Sequence, residues 1–132
     1  SERYMVAFPR GHRFEQMNAV AFDDLGGEEY VERTNCEFPE HFAALGLEDD
    51  AAVNVRYRSD REDWVQAMIL AGMGCSVIPE FMPLILGIST RLIVEPEVTR
   101  TISLVTVSGR RFSPSVQALI SLMQKQKWTG DM

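Results

Sequence analysis

The residues best suited to chemistry lie in two short stretches, Arg33-Thr34-Asn35-Cys36 and Arg58-Ser59-Asp60. A thiol near a helix start with an arginine beside it is shifted toward thiolate, the form that oxidants attack. Arg33 and Arg58 present planar guanidinium forks that match a carboxylate or phosphate bidentately. Thr34, Asn35, Ser59 and Asp60 add hydroxyl, amide and carboxylate groups beside them, so the two stretches together read as an anion-binding pair of junctions. Arg100 is a third candidate cation. A plainer reading stands beside this one: the arginines pair with neighbouring acids as surface ion pairs of little energetic weight, and Cys36 is a small, half-buried residue next to a cap.

No other set of residues resembles a reacting centre. The two cysteines, Cys36 and Cys75, lack metal-ligand spacing, and His12 and His41 lie far from both in sequence. Asp23-Asp24 and Glu48-Asp49-Asp50 do not follow a calcium-loop pattern. The expectation is therefore no enzyme, no metal and no cofactor. An α/β enzyme would need a nucleophile and base brought together at long range.

These junctions must be positioned by regular elements, and the clearest run is Ser59 to Glu80. Ser59 and Glu62 have capping-box spacing, with Asp60, Glu62 and Asp63 placed where a helix dipole favours negative charge. Trp64, Val65, Met68, Ile69 and Gly72 form an apolar stripe, and Arg61, Glu62 and Gln66 fall toward water. Gly72-Met73-Gly74 ends the helix, Cys75–Ile78 is a buried strand, and Pro79 closes it. Trp64 and Met68 read as core.

Elsewhere, Arg3–Phe8, Glu29–Glu32, Val53–Tyr57 and Thr90–Val94 read as strands, and Thr101–Val107 has the strongest β character. Asn18–Leu25 reads as a short helical turn. Thr34…Glu37 spacing ahead of Pro39 opens a helix to Leu45, and Ser113-Pro114 opens one that ends near Trp128. Strands alternating with helices predict an α/β fold, a mostly parallel sheet flanked by helices. In such sheets ligands sit beyond the carboxyl ends of strands, where both candidate stretches fall.

At 132 residues and 45% hydrophobic, the chain is long enough to bury one core without disulfides. No apolar run reaches the ~18 residues of a membrane span, and no secretory segment opens it, so a soluble, cytoplasmic protein is expected. Charge is uneven: residues 15–63 hold 14 acids against 4 bases, and the rest hold 5 against 9. A net charge of −6 makes this chain a poor nucleic-acid binder by itself.

The order of these segments resembles the effector-binding domain of LysR-type transcriptional regulators. The residues that carry the resemblance are Ala71-Gly-Met-Gly74 followed by Val77-Ile-Pro79, with Arg10-Gly-His12, Phe22-Asp-Asp-Leu25 and Arg100-Thr-Ile-Ser-Leu104 in register. It spans residues 3 to about 128. The resemblance implies one lobe of a periplasmic-binding-protein-like domain over residues 1–98, with residues 99–132 returning as a strand and helix of the first lobe. It implies a small-molecule effector, anionic ones included, bound near Arg33, Thr34, Asn35, Cys36, Arg58, Ser59, Asp60 and Arg100. It also implies homo-oligomers, no membrane, and DNA contact only through a winged helix-turn-helix that this chain lacks, as it lacks most of the first lobe. Partnerless strand edges on 101–107 and an uncovered stripe on the last helix are expected to follow. Glu32-Arg-Thr-Asn-Cys36 is similar to the loop before the reactive cysteine of the peroxide-sensing branch, although no second cysteine follows within the next helix. Two other classes share the architecture or the chemistry: a solute-binding lobe of a transport system, and a Cys36-based oxidant sensor within the same family.

Overall fold

The computed structural model describes residues 1–36, 40 and 53–128, in two compact units: residues 2–100, and Ser1 with the residues from 101 onward. The larger unit is built around β1, Glu2–Pro9. Its neighbours are β2 (Ala19–Ala21), β5 (Ser76–Pro79), β6 (Ile88–Val94) and β7 (Thr99–Arg100), in the order β2-β6-β1-β5 with β7 on β1. A second, two-stranded sheet pairs β3 (Glu29–Arg33) with β4 (Asn54–Ser59) in parallel, and a parallel bridge from Tyr30 to Cys75 links it to β5. Helix α1 is Glu62–Leu70 and helix α2 is Pro114–Lys125.

Alternation along β1 sends Tyr4, Val6 and Phe8 to one face and Ala7 to the other. The first face packs against Phe14, Phe22 and Leu25, which come from two short 3-10 turns, and against Val20, Val77 and Ile93. The second packs Ile78 of β5 and Val31 of β3 under Val65 and Ile69 of α1. Each of these buried aliphatic or aromatic side chains is worth roughly 1.5–3 kcal/mol of transfer free energy.

Several expectations are corrected. The larger sheet is mixed, because β1 runs antiparallel to β5, β6 and β7; only β2–β6 and β3–β4 are parallel ladders. Asn18–Leu25 divides into β2 and a 3-10 turn over Phe22–Leu25, since Val20 buries itself beside Ile93 of β6. Ser59 does not cap α1: it remains in β4, its Oγ accepts the Arg61 N–H at 3.0 Å, and Arg61 is the N-cap residue, its side chain turned to Asp63 rather than to the helix backbone. Trp64 is 54% exposed with the Arg61 guanidinium over its ring, one position off the Val65–Ile69 stripe, while Met68 packs on the core as expected. Gln66, read as facing water, is buried and holds the 83–85 loop, donating to Pro83 O at 2.9 Å and accepting from Ile85 N at 2.8 Å.

Gly74 lets the chain turn from α1 into β5. A Cβ there would lie 2.6 Å from the Glu29 carbonyl oxygen, so the close approach of β3 requires glycine. In the smaller unit, Ser113 Oγ accepts the Val116 N–H at 3.4 Å and Pro114 opens α2, as the sequence predicts. Thr101–Val107 forms no strand among the described residues: β character needs a neighbouring backbone to become a ladder, and this stretch pairs with none. Val116, Leu119 and Leu122 of α2 are exposed. The Thr34…Glu37 cap, the helix to Leu45, His41 and the Glu48–Asp50 loop lie wholly or partly outside the described residues.

Candidate functional site

The register of β3 on β4 sets Arg33 beside Ser59 and Glu32 beside Arg58. Both strands end there, and the Tyr30–Cys75 bridge makes the carboxyl end of β5 point the same way. Thr34 N–H donates to Ser59 O at 3.1 Å, and Cys36 N–H turns back to Arg33 O at 3.1 Å. The junctions that the sequence singled out are thus joined by backbone bonds, and α1 starts immediately beyond them.

Arg33 is the centre of this cluster. Its side chain is 14% exposed; Nε donates to Glu62 Oε2 at 2.7 Å and Nη1 reaches Cys36 Sγ at 3.6 Å. Glu62, the first residue of α1, also has its Oε1 buried without a hydrogen-bond partner among the described residues. The sequence reads this residue as a capping acid on the side of the helix toward water, whereas one of its oxygens is buried and the other holds Arg33. Its position at the start of the helix was legible, but its partner 29 residues earlier was not.

Arg58 is more exposed and pairs with Glu32 across the same ladder. Asp60 and Asn35 lie exposed in the turns that flank the junction. Arg100 shares this end of the larger sheet, but its guanidinium is held by Glu2 at 2.6 Å on β1. All three candidate arginines therefore carry a carboxylate partner, and an anion at Arg33 must displace or share Glu62.

The two thiols differ in kind. Cys75 is fully buried between Tyr30 and β5, and burial, with Glu28 adding to it, pushes its thiol up to about 12. Burial likewise raises the Tyr30 hydroxyl, which accepts the Val77 N–H at 3.0 Å. Cys36 is half-buried beside a guanidinium. A separate open depression lies at the other end of α1, lined by Pro9, Arg10, Gly11, Leu70, Gly72 and Leu86 among others. Its rim includes His12, whose Nε2 meets Glu28 at 3.0 Å.

The family model described as LysR substrate binding domain matches residues 1–128. Among solved structures, the effector binding domain of QuiR in complex with shikimate is similar over 92% of this chain and 59% of its own, at 15% identity and a TM-score of 0.76. The Synechocystis PCC6803 CcmR regulatory domain in complex with 2-PG covers 92% of this chain and 61% of its own, at 16% identity and TM-score 0.69. The reduced form of OxyR covers 93% and 58%, at 22% identity and TM-score 0.67. The present chain spans about three fifths of each of these relatives. Among curated proteins none matches.

Proposed function

This chain belongs to the LysR substrate-binding domain family, and on that premise we propose that it senses a small-molecule effector at the joined ends of β3 and β4. The observation that carries the proposal is the convergence of Arg33, Thr34, Cys36 and Ser59 at the carboxyl ends of two parallel strands, beside the start of α1. Such a place presents outward backbone N–H groups and a positive helix end to an anionic group. Arg33 supplies the directed charge, Glu62 sets what must be displaced, and Arg58, Ser59, Asp60, Asn35 and Thr34 line the approach. Arg100 contributes through structure.

Effector binding would favour one of two arrangements of the protein, and the preference would pass through contacts between copies to DNA-binding domains outside this chain. An effector can shift that equilibrium only by its difference in affinity for the two arrangements. No bond is made or broken by this chain in the scheme, and its setting is the cytoplasm.

The test uses 2-PG and shikimate, ligands of two of its structural relatives, as titration probes against wild type and Arg33→Ala. Binding of at least one probe, weakened about tenfold or more by the substitution with the melting temperature retained, supports the reading; a tenfold loss corresponds to about 1.4 kcal/mol. Unchanged affinity removes Arg33 from the site, and a large loss of thermal stability makes it a structural residue.

A second reading, oxidant sensing, is favoured by the contact of Arg33 Nη1 with Cys36 Sγ. Brief peroxide treatment followed by peptide mass measurement is then expected to add oxygen at Cys36 and spare Cys75. Equal oxidation at both, or none, removes this reading.

A further inference from the structure

Where β1 and β7 leave the larger unit, four charged side chains interlock. Glu2, only 6% exposed, receives Arg100 Nε and Nη2 on Oε1, both at 2.6 Å, and the Phe81 N–H on Oε2 at 3.3 Å. On the next residue, Arg3 grips Glu80 through Nε at 3.1 Å and Nη2 at 2.5 Å. Its own N–H donates to Glu80 Oε2 at 3.2 Å, and its carbonyl accepts the Glu80 N–H at 2.9 Å. Side chains thus tie β1, β7 and the end of β5 together.

The ladder between β1 and β7 is short, consisting of Glu2↔Arg100 and Arg3↔Thr99. A slide of two residues keeps every side chain on its own face, so alternation alone does not forbid it, and what resists it is the Tyr4–Val98 bond, the burial of Val98 and the Glu2–Arg100 pair. Such a slide would set Glu2 opposite Val98 or Ile102. The buried carboxylate would then have no cation, and an uncompensated buried charge is far more costly than a lost ladder pair. Buried ion pairs are often no more stabilising than apolar contacts of the same volume, and their best-attested use is to specify register.

We infer that Glu2 and Arg100 form a register clamp, which fixes the residue of β7 that faces each residue of β1, while Arg3 and Glu80 lock the start of β1 to the end of β5. These are positioning residues. They stand at the same sheet end as Arg33 and Ser59, yet their charges are satisfied among themselves.

Amide hydrogen exchange on the full chain tests this, with Glu2→Gln and Arg100→Gln compared with wild type. Tyr4, whose N–H bonds to Val98 O at 2.9 Å, and Phe81 report the clamp, and Val31 and Ile69 report the core. Exchange at Tyr4 and Phe81 is expected to rise about tenfold in both variants while the core amides change less than about twofold. Arg100→Lys, which keeps the charge without the fork, is expected to recover part of that protection. Unchanged exchange at Tyr4 and Phe81 overturns the inference. So does an equal rise at Val31 and Ile69, which would make the pairs general stabilisers. Should Glu2→Gln fail to fold, Arg100→Gln and Arg100→Lys carry the same comparison from the β7 side, with the same two outcomes.

Discussion

The two sheets of the larger unit use their side chains in opposite ways. Along β1, Tyr4, Val6 and Phe8 on one face have no exposed surface, and Ala7 on the other is buried too. In the β3–β4 pair, Val31 is buried, but β4 is largely exposed and carries Arg56 and Arg58 against Glu29 and Glu32. Parallel strands are usually covered on both faces, so a parallel pair with open, charged surface stands out. The contrast separates two tasks: β1 and its neighbours hold the fold, and under the proposed function the ends of β3 and β4 are left to meet a ligand.

That separation is open to attack at both ends. Phe8→Ala should produce the largest effect, a loss of about 3–5 kcal/mol read from the denaturant midpoint at constant slope, because the ring is fully buried and meets Phe14 edge-on at 5.7 Å. A loss near that of a surface substitution would deny β1 its role. Next in size, Gly74→Ala should cost about 1–3 kcal/mol, since its Cβ would drive into the Glu29 backbone where the two sheets meet.

Acid should act at the clamp end of β1. Arg3, by hydrogen bond and charge, holds the Glu80 carboxyl below its ordinary value of 4.5, so the pair's contribution is complete above that pH and is lost as pH falls through the lowered folded value. Denaturation curves of wild type and Glu80→Gln should therefore differ at neutral pH and converge in acid; a gap that persists in acid would refute the charge argument. Smallest of all, a double-mutant cycle on Arg58 and Glu32 should return no more than about 1 kcal/mol, because the arginine is 65% exposed. A larger coupling would show that the β3–β4 face is structural after all.

Much of this organisation was legible in the residues. β1, β5, α1 and α2 each follow an apolar pattern bounded by glycine, proline or a capping serine, and such patterns are local. The strand-to-helix junction at Arg58 was legible for the same reason, while the helix expected after Arg33 lies outside the described residues. What escaped was pairing. No local pattern tells that β1 runs against β5, β6 and β7, or that a stretch as β-rich as Thr101–Val107 has no strand beside it among the described residues. The site suffered likewise: the carboxylates that occupy Arg33, Arg58 and Arg100 lie 29, 26 and 98 residues away in sequence. Nor does the charge of Glu62 tell that one of its oxygens is buried and unpartnered.

The reach from Glu2 to Arg100 bears on synthesis as well as on architecture. Bonds across 77 and 98 residues mean that β1, translated ahead of all its partners, has no ladder to join until β5, β6 and β7 have emerged. Through that interval its apolar face is open to other chains. Closing such distant pairs is slow in any chain. The strand at the centre of the finished sheet is thus the one whose last partner arrives latest, and the yield of folded protein should depend on how well a chaperone shields residues 2–9 until residue 100 has left the ribosome.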